Sequence, residues 1–216
     1  MGKPTVKGFC LPSSTKSQKS TSRQRIEQAA KHLFARHGYD STSTAAIARL
    51  ARTSESQLLK HFGSKQGVLE AILQDGWSSI NPALRLATES VASVQEKFRI
   101  LVDMMLTFLG KDAEMRTLLL FEGRRIRHEG ESVVLVPGFL EFVSIVDGIL
   151  RQLEKDGDLA FNVSVQALRS ALMGAIEGML RDRMLAQSAG YPAFFSDWDM
   201  RTIVFQLLSS STRHGL

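Results

Sequence analysis

The chain has 216 residues, 44% of them apolar, and a net charge of +5. This length and this apolar content are sufficient for the hydrophobic core of one compact domain or two. Its single cysteine excludes an intramolecular disulfide and fits a reducing compartment. No apolar run approaches the roughly 20 residues that a membrane-spanning helix needs, and no secretory signal pattern occurs, so the sequence predicts a cytoplasmic protein.

Residues 1–20 combine Gly, Pro, Ser, Thr and Lys with few apolar side chains, a composition that predicts a disordered basic arm. Such an arm can contact the DNA backbone or a minor groove, although an inert tail would have the same composition. Helical periodicity starts just after it. Thr21 and Gln24 have the spacing of a capping box that opens a helix near Ser22, and Gly38 suits its C-terminal end.

Residues 42–65 predict two short helices joined by a tight turn. Apolar positions recur on both helices, and residues 51–53 form the break between them. Ser54 is a good N-cap for the second helix, because its hydroxyl can accept a hydrogen bond from a free amide. A helix this short must be held by its neighbours, which is how a helix-turn-helix presents a rigid reading helix to the major groove.

The sequence after residue 65 continues as helix, which predicts an all-α protein of about nine helices. Asn81–Pro82 is the expected break between a domain over residues 21–80, whose last helix starts at Ser64, and a domain over residues 81–216, because proline disfavours helix in the residue before it. The later helices are predicted at about 93–110, 112–121, 137–154, 162–187 and from 196 onward.

The run from Arg23 to about Asp75 resembles the N-terminal DNA-binding domain of the tetracycline-repressor (TetR) family. The resemblance is carried by an ordered set of residues rather than by one motif: Ala29, Ala30, Leu33, Phe34, Gly38, Tyr39, Thr42, Ser43, Ile47, Ala48, Ala51, Ser54, Leu58, Phe62, Ser64, Lys65 and Leu69. It implies a helix-turn-helix DNA-binding domain over residues 21–80 and a helical effector-binding and dimerisation domain over residues 81–216.

Three residues depart from the usual family pattern. Leu59 stands where a tyrosine commonly contacts phosphate, Ala45 stands where a polar or basic residue is common, and Arg52 replaces the usual turn glycine while adding a cation. The positions of the DNA contacts are therefore better defined than the identity of any one contact.

The charge is distributed unevenly along the chain. Residues 1–65 contain twelve Lys and Arg against three Asp and Glu, a balance of +9, whereas the remainder has a balance of −4. A solvated charged face would give similar numbers, but a basic end on a mildly acidic body is the distribution expected of a protein that binds a polyanion. Together with a helix-turn-helix, it favours nucleic acid.

Major-groove recognition needs donors and acceptors on a rigid helix face, with cations and backbone amides for phosphates. Gln57 can hydrogen-bond an adenine edge, and Lys60 can reach a guanine edge or a phosphate. Free amides at the start of the first short helix favour an anionic oxygen. An ordinary exposed side chain is the alternative for each. The predicted DNA contacts are Ser43, Thr44, Arg52, Glu55, Ser56, Gln57, Lys60, His61 and Lys65.

The domain over residues 81–216 contains flexible and aromatic apolar residues of the kind that line drug-sized cavities. Polar residues among them could orient a ligand, although salt-bridged surface positions explain these polar residues better. Core packing explains each residue better when it is taken singly. The resemblance implies a small-molecule inducer without identifying it. The candidate cavity residues are Met104, Phe108, Phe121, Glu122, Phe142, Met173 and Glu177.

One DNA-binding domain of this size contacts only a few base pairs, so two copies on a two-fold axis are expected to read a palindrome. Four small residues share a narrow sector of the 162–187 helix, and intrachain packing explains them nearly as well as a partner subunit does. In the family, the last two helices form a four-helix dimer interface, which favours the partner. The candidate interface residues are Ala167, Ala171, Gly174, Gly178, Ile203 and Leu207.

These observations predict a sequence-specific transcriptional regulator: a homodimer on double-stranded operator DNA, and, as the resemblance implies, a repressor released by an unknown small molecule. The alternative is a structural or nucleoid-associated protein with the same fold and no inducer, which would have a filled core and many chromosomal sites. An enzyme, a cofactor or a metal is not expected, because the sequence has no Gly-rich phosphate loop and no Cys/His cluster with metal-ligand spacing.

Overall fold

The computed structural model describes residues 20–123, 134–156 and 163–212, so nearly all of the predicted arm over residues 1–20 lies outside the described residues. Within these ranges the chain forms nine α-helices and no strand, which confirms the all-α class. None of the helices described is long and apolar enough to cross a membrane. The helices are α1 Ser22–His37, α2 Thr44–Leu50, α3 Glu55–Phe62, α4 Lys65–Glu89, α5 Val94–Lys111, α6 Ala113–Phe121, α7 Pro137–Lys155, α8 Val165–Ala189 and α9 Asp197–Ser210.

The helix starts follow the capping residues in the sequence. The Thr21 hydroxyl accepts from the Gln24 amide at 3.2 Å, and the Gln24 side chain accepts from the Thr21 amide at 2.9 Å, so the predicted capping box of α1 is confirmed. Ser54 accepts from the Gln57 amide at 3.2 Å and caps α3 as expected. At the end of α1, Gly38 has φ +82°, a region that glycine enters without the steric cost of a Cβ.

A small core holds the first three helices and the start of α4 together. We call this unit the head, and we call the rest of α4 and helices α5 to α9 the body. One stripe of α1 is buried against α2, α3 and α4. Full burial of each large apolar side chain contributes about 1.5–3 kcal/mol, so this shared core fixes the position of α3. Its buried members are Ile26, Ala29, Ala30, Phe34, Tyr39, Ile47, Ala51, Leu58, Val68 and Leu69.

Helix α4 runs without interruption through Pro82, so the helix break predicted at Asn81–Pro82 is wrong, whereas the division into two domains stays a prediction. A proline inside a helix removes a hydrogen bond and costs about 3 kcal/mol. Pro82 lies on the exposed face, where water can reach the freed carbonyl group. On the opposite face, fully buried Asn81 donates to the carbonyl of Gly138 at 2.8 Å and to the carboxylate of Glu141 at 3.2 Å. Packing of α4 on α7 therefore maintains the helix through the proline.

A second connection joins the head to the body at the corner between α5 and α6. Lys31 of α1 lies 2.6 Å from the Asp112 carboxylate, and Nδ1 of His32 lies 2.7 Å from the Glu114 carboxylate. The other oxygen of Asp112 accepts from the Met115 amide at 2.9 Å and caps α6. Burial alone would raise the pKa of Asp112, but the hydrogen bonds from Lys31 and Met115 bring this pKa below its ordinary value.

Asp112→Asn tests this connection, because asparagine still caps a helix but carries no charge for Lys31. The pKa of Asp112 is lower in the folded chain than in the unfolded chain, so its ionised form stabilises the fold above the unfolded pKa of about 4. That contribution is lost as the pH falls through the folded pKa. We expect the variant to melt below the wild type near neutral pH and the two melting temperatures to converge as the pH falls below the ordinary pKa range of a carboxyl group. Circular dichroism melts across this range measure both, and a gap that persists in acid contradicts the assignment.

Candidate nucleic-acid interface and internal cavity

Helix α3 is held on one side and open on the other. Leu58 is fully buried in the head core, and His61 and Phe62 are half-buried beside it. The remaining side chains of α3 are exposed. Those exposed side chains are Glu55, Ser56, Gln57, Leu59 and Lys60. Of the predicted contacts on α3, only His61 lies partly toward the protein.

The first turn of α1 fixes the ends of α3. The Arg23 guanidinium donates to the carbonyl of His61 at 3.4 Å and lies 4.5 Å from the centre of the Phe62 ring. Nε of Arg25 donates to the carbonyl of Ala51 at 3.2 Å, in the turn that precedes α3. Both ends of the reading helix are therefore tied to one rigid helix.

The start of α2 is tied to the start of α3. The Thr44 hydroxyl donates to the Glu55 carboxylate at 2.7 Å. The Ser43 hydroxyl accepts from the Ala46 amide at 3.1 Å and caps α2. The structure thus brings three predicted DNA contacts to one end of the helix pair, where free amides of α2 favour an anionic oxygen.

Lys65 lies in the first turn of α4, but its ammonium group faces the protein. Its Nζ donates to the carbonyls of Tyr39 and Thr42, each at 3.0 Å, and lies 4.2 Å from the centre of the Tyr39 ring. Two of its three donors therefore hold the loop between α1 and α2. A phosphate contact by the third donor stays a prediction.

Arg52 occupies the turn between α2 and α3 with φ +53°, the one described non-glycine residue with a positive φ. The left-handed conformation costs a residue with a Cβ about 1–2 kcal/mol, which explains why glycine is usual here. The side chain is exposed beside the open face of α3, where its charge is available to a phosphate. The turn thus combines backbone strain with an added cation.

Arg52→Gly is expected to separate stability from DNA affinity. Removing the Cβ relieves the backbone and raises the free energy of unfolding by about 1 kcal/mol, measured by urea denaturation. Losing the cation weakens DNA binding. It also lowers the slope of log Kd against log salt concentration by about 1 per half-site, as expected for the loss of one phosphate contact. The control Arg52→Ala should lose the same slope without the gain in stability. Equal salt slopes for all three proteins would show that Arg52 does not reach a phosphate.

The body contains a partly open cavity of about 70 Å³ between α4, α5, α6, α7 and α8. Trp77 of α4 forms one wall, with its ring centre 4.8 Å from that of Phe142 and 5.5 Å from that of Phe139. The cavity is smaller than the roughly 300–1,000 Å³ of drug-sized sites. Its other lining residues are Phe98, Leu101, Met105, Leu109, Leu119, Leu120, Gly123, Val146, Leu172, Met173, Ile176, Glu177 and Leu180.

Three of the seven candidate cavity residues line this space: Phe142, Met173 and Glu177. The structure places Met104 and Phe108 outside the lining, because the cavity face of α5 carries the residues directly after them, and one residue corresponds to 100° of rotation. Phe121 is exposed with the Arg181 guanidinium 4.9 Å from its ring centre, and Glu122 is buried at the end of α6. Neither lines the cavity.

Residues 26–72, which cover most of α1, all of α2 and α3 and the start of α4, match the family described as bacterial regulatory proteins, tetR family. The head is therefore a DNA-binding domain of the TetR family. The chain is accordingly a DNA-binding regulator with an N-terminal helix-turn-helix.

Individual relatives of this TetR-family protein are distant. The nucleoid occlusion factor SlmA of Vibrio vulnificus is 24% identical over 170 residues, which cover 76% of this chain and 84% of that protein. The transcriptional regulator FadR from Bacillus subtilis, solved in complex with stearoyl-CoA, has a TM-score of 0.71 at 19% identity and covers 87% of this chain and 97% of its own. SmeT, the repressor of the Stenotrophomonas maltophilia multidrug efflux pump SmeDEF, has a TM-score of 0.68 at 18% identity and covers 91% and 93%. At these identities the structural likeness shows the fold.

The TetR-family body leaves an apolar surface uncovered on its last two helices. All four small residues of the α8 sector are exposed, and a Cβ added at Gly174 or Gly178 would meet no atom within 4 Å. On α9, Ile203 and Leu207 are 45% and 41% exposed. The opposite side of α8 carries the bulkier stripe, and its Val165, Leu168 and Leu172 are buried. Packing among the described residues therefore does not account for the small sector.

Sequence reasoning missed the arginines that position the reading helix. Arg23 and Arg25 lie 38 and 26 residues from the carbonyl groups they contact, so no local pattern indicated them. Arg49, exposed on α2, was also missed as a cation of the head. The excess of basic residues in the first 65 was their only signal. Among the described residues, no group of three or more His, Cys, Asp or Glu is arranged to hold a metal ion.

Proposed function

We propose that this TetR-family regulator is a dimeric repressor whose two α3 helices read the half-sites of a palindromic duplex, and whose DNA affinity falls when a small molecule occupies the body cavity. One observation carries the proposal: a single helix, α4, contacts both sites. A Cβ at Gly67 would lie 2.0 Å from the carbonyl oxygen of Phe62, so the start of α4 abuts the end of α3. Ten residues later, Trp77 of α4 lines the cavity.

The DNA contacts proposed are those predicted from the sequence, and the exposed side of α3 supports Ser56, Gln57 and Lys60 as the base-edge readers. Arg52 and the amides at the start of α2 serve the phosphates. A second head on a two-fold axis meets the next major groove about 34–36 Å away. The uncovered surface of α8 and α9 supports a dimer that sets this spacing.

Release follows from a shift between two populations. A drug-sized ligand needs more than the roughly 70 Å³ between these walls, so the walls move apart when such a ligand is seated fully inside. One of these walls is on α4. The ligand therefore favours the conformation in which α4 and its head are displaced, and it lowers DNA affinity by its differential affinity for the two states.

The lining supports an apolar effector, since all the lining residues but Gly123 and Glu177 have apolar or aromatic side chains. The complex of FadR with stearoyl-CoA, whose acyl chain is apolar, supports the same class. Glu177 would meet a polar group at one end of such a ligand.

Two binding measurements test the proposal. A preferred DNA duplex is first selected from a random pool. Compounds that raise the melting temperature of the protein are taken as its ligands. Saturation with such a compound should weaken DNA binding at least about tenfold, a coupling of ~1.4 kcal/mol. Val146→Phe, which adds a ring to the cavity, should keep DNA binding and lose the response. Unchanged DNA affinity with a saturated cavity rules out release.

A second candidate function is a nucleoid-associated protein without an inducer. The small volume of the cavity favours it, and so does the relation to a nucleoid occlusion factor. A chromosome-wide map of bound sites separates the two: a local repressor occupies a few sites near regulated genes, whereas a nucleoid-associated protein occupies many dispersed sites.

A further inference from the structure

Leu59 is the one large apolar side chain on the exposed side of α3. It is 47% exposed in the free protein, although it lies in a helix whose other exposed side chains are polar or charged. Leu58, its neighbour in sequence, already supplies the core contact of this turn. With about half of its side chain exposed, Leu59 contributes less to the fold than the fully buried Leu58 does.

The surroundings of Leu59 place it on the DNA side of the helix. Residues three and four positions apart are neighbours on a helix surface, so Leu59 lies beside Ser56 and Glu55. Glu55 is fixed by the Thr44 hydroxyl at 2.7 Å, at the end of the helix pair where α2 begins. Lys60 follows on the same open side. Leu59 thus sits among side chains proposed to meet the groove.

The chemistry of a leucine restricts what it recognises. It neither donates nor accepts a hydrogen bond, whereas the base edges of the major groove present donors, acceptors and one apolar group, the C5 methyl of thymine. The tyrosine common at this position in the family contacts phosphate, and leucine has no hydroxyl to do so. The leucine therefore removes an anchor that is independent of the DNA sequence.

We propose that Leu59 is a specificity-determining residue that packs against a thymine methyl group in each half-site. The inference rests on the proposed reading of DNA by α3. It assigns to this chain a requirement for thymine at one fixed position, which the polar side chains of α3 do not impose.

The test removes single methyl groups from the DNA. In the selected duplex, each thymine is replaced in turn by deoxyuridine, symmetrically in both half-sites, and affinity for the full-length protein is measured by fluorescence anisotropy. At one position the replacement should lower the affinity of the wild type about fifteenfold. One buried methyl group contributes about 0.8 kcal/mol, which is about fourfold in affinity per half-site, and the two half-sites multiply. Leu59→Ala should bind the thymine duplex at least as weakly as the wild type binds the deoxyuridine duplex.

The diagnostic result is a double-mutant cycle. Leu59→Ala should show no further loss at the critical position when thymine becomes deoxyuridine, while Leu86→Ala should respond as the wild type does. Leu86 is a matched control because it is 73% exposed on α4 in the body. Insensitivity of the wild type at every thymine, or equal sensitivity of wild type and Leu59→Ala, overturns the inference. Failure to select any duplex would overturn the proposed function instead.

Discussion

Replacing Ile203 and Leu207 together by arginine is expected to give a folded monomer whose affinity for the selected palindromic duplex is lower by at least about a hundredfold, because binding of the second head is no longer intramolecular. Both side chains are nearly half-exposed on α9 in the isolated chain, so the substitution removes little of the core. In the proposed dimer they are buried, and two arginines would bring unpaired charges into an apolar contact.

Analytical ultracentrifugation and fluorescence anisotropy measure the two effects. The control is Leu86→Arg, which introduces one arginine at an exposed leucine on α4 and should change neither assembly nor affinity. A double variant that remains dimeric places the interface elsewhere. A monomeric variant with full affinity would show that one head suffices, which contradicts the palindromic reading.

Gly67→Ala is expected to lower the free energy of unfolding by about 3 kcal/mol, the upper range for a methyl forced into a packed site. The added Cβ would lie 2.0 Å from the carbonyl oxygen of Phe62 and 3.1 Å from its carbon, and both atoms belong to the backbone. Rotation of a side chain cannot relieve the clash, so α4 must move away from the end of α3. DNA affinity should fall as well, because α4 supports the reading helix.

Gly110→Ala is the matched control for this substitution. Gly110 lies near the end of α5, and a Cβ there would meet no atom within 4 Å. The change should stabilise the protein by up to about 1 kcal/mol, since alanine favours helix over glycine. Urea denaturation of the two variants should therefore shift the midpoint in opposite directions. A Gly67→Ala variant as stable as the wild type would show that the corner between α3 and α4 is loosely packed.

The sequence allowed prediction of features that depend on local chemistry. Helix starts at Thr21, Ser54 and Ser196 follow from hydroxyl groups that accept from amides three residues on. The all-α class followed from the helical spacing of apolar residues, and the family from an ordered set of residues in the head.

Features that depend on distant contacts could not be predicted in this way. The proline rule placed a break at Asn81, but the hydrogen bond that holds Asn81 joins it to a residue 57 positions later. The candidates Met104 and Phe108 of α5 lie one position before the lining residues Met105 and Leu109, a rotation that apolar composition alone does not resolve. Lys65 was assigned to phosphate without knowledge that the Tyr39 and Thr42 carbonyls already take two of its donors.

The double attachment of the head limits how it can move. One attachment is the unbroken α4, and the other is the pair of contacts from Lys31 and His32 to the corner of α5 and α6. Two anchoring points define a line, and rotation about that line is the motion that leaves both intact. The head is therefore expected to rotate about one axis, and the direction of this rotation is set by the fold.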